Sequence, residues 1–246
     1  VFIAQIDKLA NFLVSVDIAI IQKKDCSMSK PIGLMPKEDL IRYITDSPVR
    51  TTPELNLALI IASCALHGAT TRDGRDYDLH YLTVGMGNTR SRDKMVIGIL
   101  HDVIEDTDWT IEDLRRVGFE ERIALGVDGL TKRPGEKYFD FIERCALNPD
   151  SIDLKLEDLE HNSTGTRNER FPTEKELRKQ RVYIVAYQYL VAVKKGDIQA
   201  GTPMSIFMQS YPELNDARLL AEESSHPQAG ALRREFHPAE PTPRQA

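Results

Sequence analysis

Residues 95–106 read Met95-Val96-Ile97-Gly98-Ile99-Leu100-His101-Asp102-Val103-Ile104-Glu105-Asp106, an apolar run that passes into a tract mixing acids, a histidine and further apolar residues. At about 100° per residue, the helical repeat places His101, Asp102, Glu105 and Asp106 in one sector and surrounds them with Val96, Ile97, Ile99, Leu100, Val103 and Ile104. The pattern does not alternate with a period of two, so it predicts a helix, here from Ser91 to Asp106, buried on all but one side. The polar sector has two explanations. It is a solvated helix face, or it lines a partly dry place where three carboxylates can coexist only beside a cation or shared protons.

Working outward, the same periodicity predicts helices at Lys37 to Thr45, Tyr77 to Met86, Thr110 to Val117, Glu120 to Leu130, Tyr138 to Leu147 and Ser151 to Asn162. Another runs through Leu66 from Thr51-Thr52-Pro53-Glu54, where Thr51 and Glu54 have capping-box spacing and Pro53 suits a first turn. The segment from Thr173 to Lys195 is apolar on most faces between Val182 and Val193, which predicts a helix buried against the others. No stretch carries the alternation of a strand, so the expected fold class is all-α, a helical bundle with extra N-terminal helices. Residues 1–48 are expected as an N-terminal helical extension, 49–195 as the main domain and 196–222 as a C-terminal helical extension. Residues 223–246, rich in Pro, Ser, Arg and Gln, are expected as a disordered tail.

The 32 basic and 38 acidic residues leave a formal charge of -6, which argues against a nucleic-acid backbone as the main partner. An anionic small molecule must then be drawn in locally, by a metal ion or a few basic side chains. Cys26, Cys64 and Cys145 are far apart and form no CxxC pair, so neither a disulfide framework nor a thiolate zinc site is expected, and a cytoplasmic setting follows. The apolar stretch Val1 to Ile21 is broken by Asp7, Lys8 and Asp17, too polar for a membrane span.

A second polar pattern sharpens the first. In Lys155-Leu156-Glu157-Asp158-Leu159-Glu160-His161-Asn162, the residues Lys155, Asp158 and Asn162 share one helix face. His80, in the helix after Asp76-Tyr77-Asp78-Leu79, is unremarked alone and matters in this company. Two imidazoles and two carboxylates make a mixed nitrogen and oxygen donor set, which suits Mn²⁺ or a similar ion with open positions better than a closed structural zinc.

His80, then His101-Asp102 with Glu105-Asp106-Thr107, then Lys155 with Asp158, resembles the HD hydrolase domain of the bifunctional Rel/SpoT alarmone enzymes and their small single-domain relatives. Val127-Asp128-Gly129-Leu130-Thr131-Lys132 is similar to that family's VxGVTK segment, Thr110-Ile111-Glu112-Asp113-Leu114 to its TxEEL helix start, and the stretch with His161-Asn162 to its KLADLxHN segment. The resemblance covers roughly Pro53 to Tyr189. It implies an HD-type helical domain in which His80, His101, Asp102 and Asp158 hold one divalent metal ion, Mn²⁺ by preference, while Glu105 and Asp106 activate the attacking water. Arg72 and Tyr77 match one basic and the aromatic position of the family's substrate-reading loop; Thr71 stands where a second basic residue is expected and Tyr81 where a proline is. Lys155 and Asn162 are candidates for phosphate or ribose contacts, the alternatives being a surface salt bridge and a helix-end cap.

The implied activity is metal-dependent hydrolysis of a nucleotide phosphate ester, foremost removal of the 3′-pyrophosphate of a (p)ppGpp-type alarmone. A nucleotide phosphatase using the same metal site, and a nucleotide-binding regulator without turnover, are the alternatives. No synthetase domain is expected, since about 50 residues beyond Lys195 are too few for one.

Overall fold

The computed structural model describes residues 35–46, 54–70, 76–87, 91–163 and 173–212. The expected N-terminal helices before 35, the Thr51 cap, Arg72 and the tail lie outside the described residues. The helices are α1 (Lys37–Asp46), α2 (Glu54–Ala65), α3 (Asp78–Met86), α4 (Arg92–Leu100), α5 (Val103–Asp106), α6 (Ile111–Val117), α7 (Glu121–Leu130), α8 (Tyr138–Cys145), α9 (Pro149–Ser163), α10 (Glu174–Lys195) and α11 (Met204–Gln209). Among the described residues there is no strand, and the one β feature is an isolated bridge between Thr70 and Asp76. The fold is an all-α bundle, as the periodicity predicts.

The helix ends follow local chemistry. Thr110 and Thr173 each form a full capping box, with Asp113 and Glu176, and Gly118 and Gly196 close the same two helices in the left-handed conformation. One hydrophobic core joins the helices, with Val96, Ile97, Ile99 and Leu100 of α4 at its centre. Each such side chain contributes about 1.5–3 kcal/mol by leaving water. Leu40, Ile41 and Ile44 of α1 and Met204, Phe207 and Met208 of α11 enter the same core.

Two expectations need correction. The helix expected without interruption from Ser91 to Asp106 ends at Leu100 and restarts at Val103. His101 Nδ1 takes the Gly98 carbonyl oxygen at 2.7 Å, the acceptor that an unbroken helix would give to the Asp102 N–H. The helix α10 is buried along one stripe only, Val182, Val185, Ala186, Tyr189 and Leu190, while Ile184 and Tyr187 are exposed. It lies against α9 at the edge of the bundle, where only one face meets a neighbour.

α3 and α4 approach backbone to backbone. A Cβ placed on Gly98 would stand 2.7 Å from Gly85 Cα, and one on Gly85 would meet Met95 O at 3.1 Å, so larger residues at either position would force the helices apart. This crossing carries His80 on one helix and His101 at the end of the other. α9, which packs against both α3 and α4, is fastened to α7 by the Ser151 hydroxyl, which donates to Gly126 O at 2.9 Å.

Candidate metal centre

His80 and His101 are both buried, at 5% and 3% exposure, and their Nε2 atoms lie 3.3 Å apart. A carbonyl oxygen can only accept, so the His101 Nδ1 beside Gly98 O carries a proton, and in the neutral form of the ring the Nε2 lone pair faces inward. His80 Nδ1 pairs at 2.9 Å with His161 Nδ1, and with His80 as donor its Nε2 faces inward in the same way. Asp102 Oδ2 is 3.0 Å from His101 Nε2 and 3.2 Å from His80 Nε2. Asp158 Oδ1 is 3.4 Å and 3.9 Å from the Nε2 atoms of His80 and His101.

Lone pairs and carboxylate oxygens aimed at one point repel unless positive charge stands among them. Protons supply that charge in one way. Burial works against a cationic His80, yet the hydrogen bonds and charges of Asp102 and Asp158 outweigh it and push the imidazole up to about 10. For Asp102, burial likewise opposes ionisation and the two imidazoles overcome it, holding the carboxyl well below its usual range. A cation supplies the charge in the other way. Metal bonds of about 2.0–2.2 Å leave neighbouring donors about 3.0–3.5 Å apart, the range of the spacings among His80 Nε2, His101 Nε2 and Asp102 Oδ2 and of Asp158 Oδ1 to His80 Nε2, but not to His101 Nε2. His80, His101 and Asp102 form a group able to hold a metal ion, their donor atoms all within 4.8 Å of one another. The residues present fit a divalent ion.

Around this centre the remaining expected residues take definite positions. Lys155 Nζ donates to Asp158 Oδ2 at 2.7 Å and Asn162 Nδ2 to Asp158 Oδ1 at 2.5 Å. With 13% of its side chain exposed, Lys155 is not in a surface salt bridge. The bridge between Thr70 and Asp76, together with the Tyr77 N–H on Ala69 O, sets Tyr77 at the head of α3. Its hydroxyl lies 2.7 Å from Asp102 Oδ2 and 3.0 Å from Asp106 Oδ2. One hydroxyl proton cannot serve two ionised carboxylates at once. Asp106, desolvated and facing the charges of Asp102 and Glu105, is pushed up to about 7, with the Tyr77 hydroxyl opposing the rise. Glu105 is also raised by burial, with Lys155 opposing, and its Oε2 accepts the Lys132 N–H at 3.2 Å.

His161 is the residue the motif contained without a role. It stands one helical turn beyond Asp158, the spacing that puts both on one face of α9, and this was the available signal.

No protein-family model matches the chain. The chain is 28% identical over 210 residues to a GTP pyrophosphokinase of Streptomyces coelicolor, covering 76% of this chain and 24% of that protein. It is 32% identical over 143 residues to the guanosine-3′,5′-bis(diphosphate) 3′-pyrophosphohydrolase of Aquifex aeolicus, covering 53% and 20%. A GTP pyrophosphokinase of Streptomyces antibioticus is 27% identical over 210 residues, 76% of this chain and 24% of its own length. The similarity is to enzymes of the Rel/SpoT type. The chain spans a quarter or less of the length of these curated relatives. Among the described residues no helix is long and apolar enough to cross a membrane.

Proposed function

We propose that this chain is an HD-type, divalent-metal-dependent phosphohydrolase that removes the 3′-pyrophosphate of a (p)ppGpp-type nucleotide. The observation that carries the reading is the cluster of His80, His101 and Asp102, with Asp158 Oδ1 3.4 Å from His80 Nε2 and Glu105 and Asp106 one helical turn beyond Asp102. Similarity to a named 3′-pyrophosphohydrolase supports the substrate class. The relatives named GTP pyrophosphokinase leave synthesis as a rival, and the donor set favours hydrolysis, because clustered imidazoles and carboxylates serve to make water reactive.

His80, His101, Asp102 and Asp158 would hold the ion, and their mixed donors with open positions suit Mn²⁺. A bound divalent ion supplies Lewis acidity, lowering the pKa of water and offsetting phosphoryl charge. The protein's own groups carry the proton traffic. Glu105, raised by burial toward the working pH, accepts a proton from the attacking water. The water oxygen bonds to the phosphorus attached to the ribose 3′-oxygen as the bond to that oxygen breaks. Asp106, near 7, can return a proton to the departing 3′-oxygen, so ppGpp and water give GDP and pyrophosphate. Lys155, held by Asp158, keeps positive charge beside the centre.

The test is a Mn²⁺-supplemented assay of the purified chain on a nucleotide panel that includes ppGpp, scoring pyrophosphate and phosphate separately. Pyrophosphate release from ppGpp is expected, abolished by Asp102→Ala through loss of metal and lowered about 10²–10⁴-fold by Glu105→Gln with metal retained. Release of single phosphate only, or nucleotide binding with no turnover, would refute the pyrophosphohydrolase reading.

A further inference from the structure

The loop from Thr131 to Lys137 joins α7 to α8 and passes beside Glu105. It contains few apolar residues, and what fixes it is the guanidinium of Arg144, on α8. Arg144 Nη1 donates to Asp128 O at 2.8 Å and Nη2 to Thr131 O at 2.7 Å. Its Nε and Nη2 also grip Glu136 Oε1 and Oε2, each at 2.8 Å. Glu136 Oε2 in turn accepts the Arg133 N–H at 2.8 Å. The pair is largely sheltered, with 18% and 13% of the side chains exposed.

Lys132 sits between the two anchored points, and its N–H is the one that Glu105 Oε2 accepts at 3.2 Å. Thr131 C=O and Lys132 N–H belong to a single peptide group. In a trans peptide they point in opposite directions, and no cis bond occurs among the described residues. The guanidinium therefore meets one end of that peptide and the Glu105 carboxylate the other. A cation on the carbonyl oxygen draws electron density across the amide and makes the N–H a stronger donor, the cooperative polarisation expected of a hydrogen-bond chain in a low-dielectric interior.

The geometry points to Arg144 as a positioning residue for the hydrolytic step, aligning Glu105 through the Thr131–Lys132 peptide, with Glu136 holding the guanidinium in register. This inference rests on the reading of Glu105 as proton acceptor given above. Among the described residues Arg144 makes no hydrogen bond to the donor cluster; its effect reaches the site through one amide.

Two measurements test it, the first independent of turnover. In the ¹⁵N-labelled full chain, the Lys132 amide proton of Arg144→Gln should move upfield and exchange with solvent at least about tenfold faster than in wild type. Glu105→Gln should move the same resonance upfield. An unchanged Lys132 amide in Arg144→Gln overturns the relay whatever the substrate proves to be. The second measurement is Mn²⁺-dependent pyrophosphate release from ppGpp. Arg144→Gln should lower kcat about 10- to 100-fold, as misplacement of a reacting group does, with KM and the Mn²⁺ midpoint within about twofold of wild type. Arg144→Lys, which keeps the charge and can reach Thr131 O, should recover part of the loss. In a Glu105→Gln background, Arg144→Gln should have no further effect; an equal loss there, or a loss through KM or Mn²⁺ affinity, overturns the inference. If Glu105→Gln itself turns over like wild type, the reading of Glu105 as acceptor fails and the relay with it, whereas an inactive Glu105→Gln beside a fully active Arg144→Gln sinks the relay alone. Should circular dichroism show Arg144→Gln unfolded, Glu136→Gln replaces it, with a smaller kcat loss and the same Lys132 shift expected, and an unshifted Lys132 counting against the proposal.

Discussion

Gly98→Ala tests whether the crossing of α3 and α4 sets the spacing of the metal ligands. The new Cβ would meet Gly85 Cα at 2.7 Å and Gly85 N at 3.1 Å, both backbone atoms that no rotamer change can clear. Carbon atoms rest about 3.5–4.0 Å apart, so the helices must separate by about 1 Å. His80 and His101 ride on the two helices, and their Nε2 atoms, now 3.3 Å apart, would open to about 4 Å if the movement carried through. Binding an ion then means forcing the helices back together against the overpacked contact. Overpacking costs about 1–3 kcal/mol, which at about 1.4 kcal/mol per tenfold amounts to roughly a 5- to 150-fold loss of Mn²⁺ affinity. Titration calorimetry with Mn²⁺ on both proteins, with thermal melts in chelator, makes the measurement. A variant with a lower melting midpoint and undiminished Mn²⁺ affinity would refute the link between crossing and ligand spacing.

Three further outcomes are expected. Because His80 without metal is pushed up to about 10, it carries a proton at pH 7 that a cation must displace. Mn²⁺ affinity should therefore rise with pH between 6 and 8, by about tenfold per unit for each proton released, and calorimetry in buffers of differing ionisation enthalpy should count at least one; no release would contradict it. His161→Phe removes the partner of His80 Nδ1 and should weaken Mn²⁺ binding about 10- to 100-fold, with His161→Gln nearer to wild type, both read by competition with a metal indicator. The Tyr77 hydroxyl lowers Asp106, so Tyr77→Phe should move the Asp106 titration upward from about 7, seen by carboxyl-carbon NMR; a downward move would reverse the assigned role.

Much of this was legible in the sequence. The polar sector of the apolar helix around His101 predicted both a buried helix and its unusual side, and spacing placed Lys155 and Asp158 on one helix face without assigning the hydrogen bond that joins them. The all-α class followed from periodicity alone. Other features were not legible, for definite reasons. The break after Leu100 arises because an imidazole competes for the Gly98 carbonyl, which depends on a rotamer rather than on residue spacing. The Gly85 and Gly98 contact joins positions on separate helices, and nothing local distinguishes it from any other glycine pair. Arg144 reads as an ordinary basic residue near a helix end, and only the course of the Thr131 to Lys137 loop brings its guanidinium to a carbonyl behind Glu105. His161 was within reach of spacing, but two histidines sharing a hydrogen bond across α3 and α9 require knowledge of how those helices lie.

The donors at positions 80, 101 to 102 and 158 come from distant parts of the chain, the two imidazoles standing 21 positions apart. An ion seated among them would act as a rivet, closing chain loops that an unfolded polypeptide must otherwise bring together at an entropic penalty. Occupancy would then raise the resistance of the bundle to heat and proteolysis in step with free-ion concentration, so that starving the protein of its cation would threaten its survival as well as its chemistry.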